Sequence, residues 1–128
     1  MTFARHVFRW AGILGVLIVA PMYFLEARIN RDLPPAITHP EYFYGFVGVT
    51  LAWQVAYYLI GTDPMRYRPL MLTAILAKGS YVAAITALFL LGRVAAVLLT
   101  SALFDLTFVV LFALAYVKTR VVATSRLR

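Results

Sequence analysis

The chain contains no cysteine. That absence excludes disulfides, thiolate metal sites and thiol redox chemistry, and with them the four-helix membrane proteins that shuttle disulfides to quinones. Acidic residues are scarce too: five Asp and Glu stand against twelve Lys and Arg, a formal charge of +7. No paired carboxylates and no nucleophile–base set can be assembled from them, so no catalytic residue is assigned and the reading leans away from an enzyme. The two histidines, His6 and His39, fall beside opposite ends of the apolar stretches, which excludes a haem held by two histidines inside a bundle. His39 and Glu41 are metal-capable, but two ligands in a proline-rich segment do not make a site. Neither a metal nor a cofactor is expected.

Charge of either sign is sparse, at 13% of residues, whereas 63% are hydrophobic and the mean hydropathy is +0.86. A soluble domain has about 25% charged and roughly 45–50% apolar residues. This composition indicates a single-domain integral membrane protein. The basic residues flank long apolar runs, and no RNP, zinc-finger or basic-helix pattern accompanies them, so they set topology and do not bind nucleic acid. The expected partners are the lipid bilayer and, left open, a second copy or a larger membrane complex.

Crossing a bilayer takes about 20 mostly apolar helical residues, and four stretches qualify: about 7–26, 42–61, 69–91 and 94–117. Proline, which lacks the amide hydrogen a helix needs, makes 27–41 an extended or turning outer loop through Pro34, Pro35 and Pro40. Pro21 is expected to kink the first helix near its outer end. Gly61 is read as a left-handed helix cap, Asp63-Pro64 as a turn, and Gly92-Arg93 as a tight hairpin. The short connections predict an all-α, four-span, up-down transmembrane bundle. Arg5, Arg9, Arg66, Arg68, Lys118, Arg120, Arg126 and Arg128 lie on one side, and Arg28, Arg31 and Arg93 on the other. That bias orients both termini inward (N-in/C-in), with a basic tail over 118–128. Arg66, Arg68, Lys118 and Arg120 suit anionic headgroups or simple topology determination. Tyr23, Tyr42, Tyr57 and Tyr116, among others, are assigned to interfacial belts. Arg5 and Arg9 before AGILGVLIVA resemble a signal peptide, but the exit PMYFLEARIN offers no convincing cleavage site, so the first span is expected to be retained.

Two ionisable groups lie deep within the spans, and such groups are functional candidates by default. Lys78 lies about nine residues, or ~14 Å, and Asp105 about twelve residues, or ~18 Å, from the inner face. The offset is within a lysine's reach, so an interhelical ion pair is expected. Gln54 lies about seven residues, or ~11 Å, from the same face; Tyr81 follows Lys78 by one turn, and Ser101 precedes Asp105 by one turn on the same helical face. This network has three readings. It locks helix register, it lines a polar cavity for a proton, ion or small ligand, or Lys78 merely snorkels to the inner surface. Gly12 with Gly15 and Gly45 with Gly48 are read as close-packing positions.

Residues 41–81, with Tyr44-Gly45-Phe46, Trp53-Gln54, the DPMRYRP turn and Lys78, resemble uncharacterised small four-helix bacterial membrane proteins of the DoxX-like kind. The resemblance implies a multi-pass inner-membrane protein and carries over no catalytic residue. Small multidrug transporters share the length, but their pattern has a glutamate in mid first span, whereas Glu26 stands at the outer end here. Membrane sterol isomerases need several converging acidic and histidine groups, which Asp105 alone does not supply. The expected function is a structural or accessory subunit acting through helix–helix contacts; the alternative is a small transporter or ligand-binding bundle using Lys78, Asp105 and Gln54.

Overall fold

The computed structural model describes residues 2–125 and 127, with side chains for all of these except 121–124. Arg126 and Arg128, counted above on the inner side, lie outside the described residues. The described chain is helical, with no strand. Helix α1 spans Thr2–Val19 and passes into a 3-10 turn, Ala20–Phe24; α2 spans Glu26–Asp32, α3 Pro40–Thr62, α4 Arg68–Leu90 and α5 Leu98–Ser125. Four helices (α1 with its 3-10 turn, α3, α4 and the first part of α5) are long and apolar enough to cross a membrane.

Local chemistry sets the breaks, and several differ from the sequence expectation. Pro21 removes an amide donor where α1 gives way to the 3-10 turn. The outer segment is not simply extended, because EARINRD forms α2. That helix stops at Leu33, whose extended backbone (φ −127°, ψ 91°) is what a residue preceding proline adopts. Pro40 takes the first turn of α3, where its missing donor costs nothing. Asp63 closes the next corner by accepting the Arg66 amide on its side chain (3.2 Å) and the Tyr67 amide on its carbonyl (3.1 Å). Gly92 has φ +69°, and the Gly92 and Arg93 amides bond the Phe89 and Leu88 carbonyls, a Schellman ending for α4. The connection to α5 is longer than the expected dipeptide, because α5 begins only at Leu98.

Helices α1 and α3 share the most extensive interface, followed by α4 with α5 and α1 with α5, whereas α3 and α4 meet only sparsely. Residue numbers run in opposite senses across the α1–α3 interface: Gly61 faces Arg5 and Arg9, Gly12 faces Gln54 and Tyr58, and Gly15 faces Gln54. Gly61 is therefore no cap. It lies inside α3, and a Cβ there would stand 2.8 Å from the Arg9 amide nitrogen. Gly12 has the same duty, since its Cβ would meet the Gln54 carbonyl at 2.7 Å. Gly45 has nothing within 4 Å, so the packing role expected for it is absent.

The core occupies the half of the bundle nearer the N-terminus of α1. Phe8 stacks on Phe112 with centroids 4.2 Å apart, Tyr57 and Phe108 add rings at 5.1 and 5.9 Å from Phe112, and Ile60, Met71 and Ala74 fill the remaining space. Large apolar side chains also point outward on the long helices, among them Leu17, Val49, Leu76 and Leu103.

Replacing Gly12 with alanine forces a side chain against α3 backbone and is expected to cost about 1–3 kcal/mol, the range for overpacking. Gly45→Ala meets open space and should be neutral or slightly stabilising. Thermal unfolding of both variants in detergent checks this; equal midpoints would refute the close approach of α1 and α3.

Candidate functional site

The cavity lies among α1, α3, α4 and α5. In the half of the bundle holding Phe8 and Phe112 the helices close around aromatic rings; toward Phe24, Pro40 and Leu98 they enclose a cavity of about 460 Å³. That volume lies within the range of small-molecule sites, roughly 300–1,000 Å³. From α1 and its 3-10 turn come Gly15, Val19 and Met22; from α3, Phe46, Val49, Thr50, Trp53, Gln54 and Tyr57. Helix α4 adds Ala77, Lys78, Ser80 and Tyr81, and α5 adds Leu98, Ser101, Phe104 and Asp105. The walls are largely apolar, and the polar groups gather mostly on the α4–α5 side.

At its inner end Lys78 Nζ donates to Asp105 Oδ1 at 2.9 Å. The Lys78 side chain is 9% exposed and that of Asp105 20%, so Lys78 does not snorkel to the surface. Its ammonium also stands 5.3 Å from the Tyr57 ring centroid and 5.5 Å from that of Phe108, where the negative ring faces help to hold a cation. The sequence missed both rings. Tyr57, assigned there to an interfacial belt, is buried at 1% exposure. The available signal was its position three residues after Gln54, which puts it on the inward face.

The other predicted network members divide. Tyr81 and Ser101 bond each other through their hydroxyls at 2.8 Å, and Ser101 also donates to the Leu98 carbonyl. Gln54 lines the same cavity but forms no hydrogen bond to Lys78 or Asp105. Its Nε2 donates to the Thr50 carbonyl at 2.9 Å, while Oε1 is buried without a donor. That oxygen lies where a Cβ on residue 15 would be, so Gly15 makes room for the amide.

The basic residues at the opposite, closed end also behave differently from one another. Arg68 is not a free headgroup ligand: Nε donates to Thr119 Oγ1 and Nη2 to the Tyr116 carbonyl, each at 3.2 Å, and the guanidinium stacks 3.8 Å over the Tyr116 ring. It thereby ties the start of α4 to α5. Lys118 lies 4.1 Å over the Phe3 ring and remains exposed, as do Arg66 and Arg120. On the other side, His39 Nδ1 and Glu41 Oε1 are within hydrogen-bond distance of each other, 3.0 Å apart.

No family model matches this chain, no curated protein matches it, and no solved structure matches it. The cavity combines a neutral ion pair and hydroxyls with apolar and aromatic walls.

Removing one member of the pair leaves the other charge poorly compensated. Lys78→Met or Asp105→Leu alone is expected to destabilise by about 3–5 kcal/mol, whereas the double replacement recovers most of that loss. Unfolding midpoints of the three variants measure the coupling; additive effects would mean that the pair does not act as a unit.

Proposed function

We propose that this protein is a four-span, up-down integral membrane protein that binds a small molecule in a cavity open on one half of the bundle. The observation that carries the proposal is the cavity of about 460 Å³ beside Lys78 and Asp105. A pair that only locked helix register would need no space around it, so the geometry favours the ligand-binding alternative over an accessory subunit acting through helix contacts alone. The closed aromatic half argues for a binding or carrier role and against a continuous pore. A DoxX-like affiliation would be compatible with this reading and adds no reacting group to it.

Membrane residence is supported by four apolar helices whose large outward side chains, such as Leu17, Leu76 and Leu103, suit lipid tails. The N-in/C-in orientation rests on the gathering of Arg5, Arg9, Arg66, Arg68, Lys118 and Arg120 at one end of the bundle, with Arg28, Arg31 and Arg93 at the other. A bacterial cytoplasmic membrane is the proposed location.

The absence of cysteine makes orientation directly measurable. With an impermeant maleimide on intact spheroplasts, Ala36→Cys should label and Arg66→Cys should label only after lysis; the reverse pattern would invert the proposed topology. For ligand binding, native mass spectrometry of the protein released from nanodiscs should show a retained small molecule. Ala77→Trp, which fills the cavity, should lose it while staying folded. A variant that is merely more stable, with no occupant in either form, would mark the cavity as a packing void.

A further inference from the structure

Resting on that ligand-binding reading, we infer that the ligand is a small, uncharged alcohol, a largely apolar molecule whose hydroxyl donates to the second carboxylate oxygen of Asp105.

The ion pair is incomplete as it stands. Lys78 Nζ meets Asp105 Oδ1 at 2.9 Å, and Oδ2 accepts no hydrogen bond among the described residues. Lys78 likewise uses one of its three N–H groups on the carboxylate. What else stands near its ammonium are the rings of Tyr57 and Phe108, with centroids at 5.3 and 5.5 Å. Charges taken out of water are held favourably only where further hydrogen bonds fill the remaining lone pairs. A hydroxyl proton delivered to Oδ2 fills one of them, and it does so without adding charge.

That oxygen is within a ligand's reach. Ala102 and Phe108, three residues before and after Asp105, are buried, so this face of α5 turns inward. The Asp105 side chain is nonetheless 20% exposed and lines the cavity, so its open surface faces that space. Gln54 Oε1 is different: it is sealed in the slot beside Gly15 and closed to a ligand, whereas Asp105 Oδ2 keeps accessible surface.

Charge and walls define the rest of the molecule. A cation sharing Asp105 would leave the site net positive, and an anion sharing Lys78 would leave it net negative. Either is costly in apolar surroundings. Tyr81 and Ser101 bond each other, and Ser80 donates to the Ala77 carbonyl. Thr50 and Trp53 line the cavity with side-chain donors that have no partner among the described residues, which admits an acceptor elsewhere on the ligand. Val49, Phe46 and Phe104 add apolar surface for its body.

Three probes with one carbon skeleton separate these features. 3-Phenylpropan-1-ol carries the hydroxyl, its methyl ether has the donor capped, and 3-phenylpropylamine is a cation at neutral pH. The full chain is placed in phosphatidylcholine nanodiscs with Trp10→Phe, so that Trp53 alone reports by fluorescence, and affinities are referred to probe concentration in the bilayer. The alcohol should bind saturably and about ten- to a hundredfold more tightly than the ether, the size of one hydrogen bond to a charged acceptor. The amine should bind more weakly than the alcohol. In the double variant Lys78→Met, Asp105→Leu, which is expected to fold, the ratio of alcohol to ether affinity should fall to about one, whatever the new cavity shape does to both. Equal saturable binding of alcohol and ether to the unmodified pair, tighter binding of the amine, or an alcohol preference that survives in the double variant would overturn this inference and leave the cavity as a ligand site. No saturable response to any probe would overturn the ligand-binding reading itself, and this inference with it.

Discussion

The ion pair between Lys78 and Asp105 stands at the level where the bundle changes character. On one side of it the helices meet through Phe8, Phe112, Tyr57 and Phe108 and leave little space. On the other the cavity begins, lined by all four long helices. A lysine in such surroundings is tolerable only with a partner, and a carboxylate likewise. The pair therefore holds α4 to α5 at mid-height, where the Arg68 clamp at the closed end no longer reaches. The rings of Tyr57 and Phe108, belonging to the aromatic core, approach the same ammonium and couple the pair to the closed half.

The second half of the architecture depends on closeness rather than charge. Gly12 and Gly61 let α1 and α3 approach until backbone meets backbone, a use of small residues that suits close helix association. The molecule is thus two helix pairs, one built on small residues and one on ionic and hydroxyl contacts, joined by the packing of α1 on α5. The cavity is what the weak α3–α4 seam leaves open, and Gly15 extends it by giving the Gln54 amide somewhere to lie. Packing and site chemistry are linked through that one glycine.

Much of this was legible in the sequence. Apolar runs of about 20 residues marked the four long helices, and helical rise alone put Lys78 and Asp105 within reach of each other. Proline placed the breaks, though it did not reveal that EARINRD between them has enough helix-forming residues to make α2. Gly61 was misread because a glycine near a helix end suggests a cap, whereas its use as a contact point depends on which helix lies opposite. Tyr57 was misread for a related reason: a tyrosine near a span end is consistent with both an interface and a core, and only the contact of its ring with Phe112 of α5 decides between them. The cavity stood only as one of three readings of the polar network, since an empty space between helices leaves no residue type as its mark. Nor was the unmatched oxygen of Gln54, which depends on a side-chain rotation that pattern cannot supply.

The central claim is that Lys78 and Asp105 form a direct pair within the bundle. Lys78 and Lys118 are the chain's lysines, and Asp32, Asp63 and Asp105 its aspartates, so isotope labelling by residue type is nearly site-specific. Rotational-echo double-resonance NMR between 15Nζ-lysine and 13Cγ-aspartate, on the protein in lipid bilayers, measures the contact. The structure predicts strong dephasing of one lysine signal, assigned to Lys78 by its loss in Lys78→Met, and none from Lys118, which lies over the Phe3 ring. Two undephased lysine signals from folded protein would contradict the account.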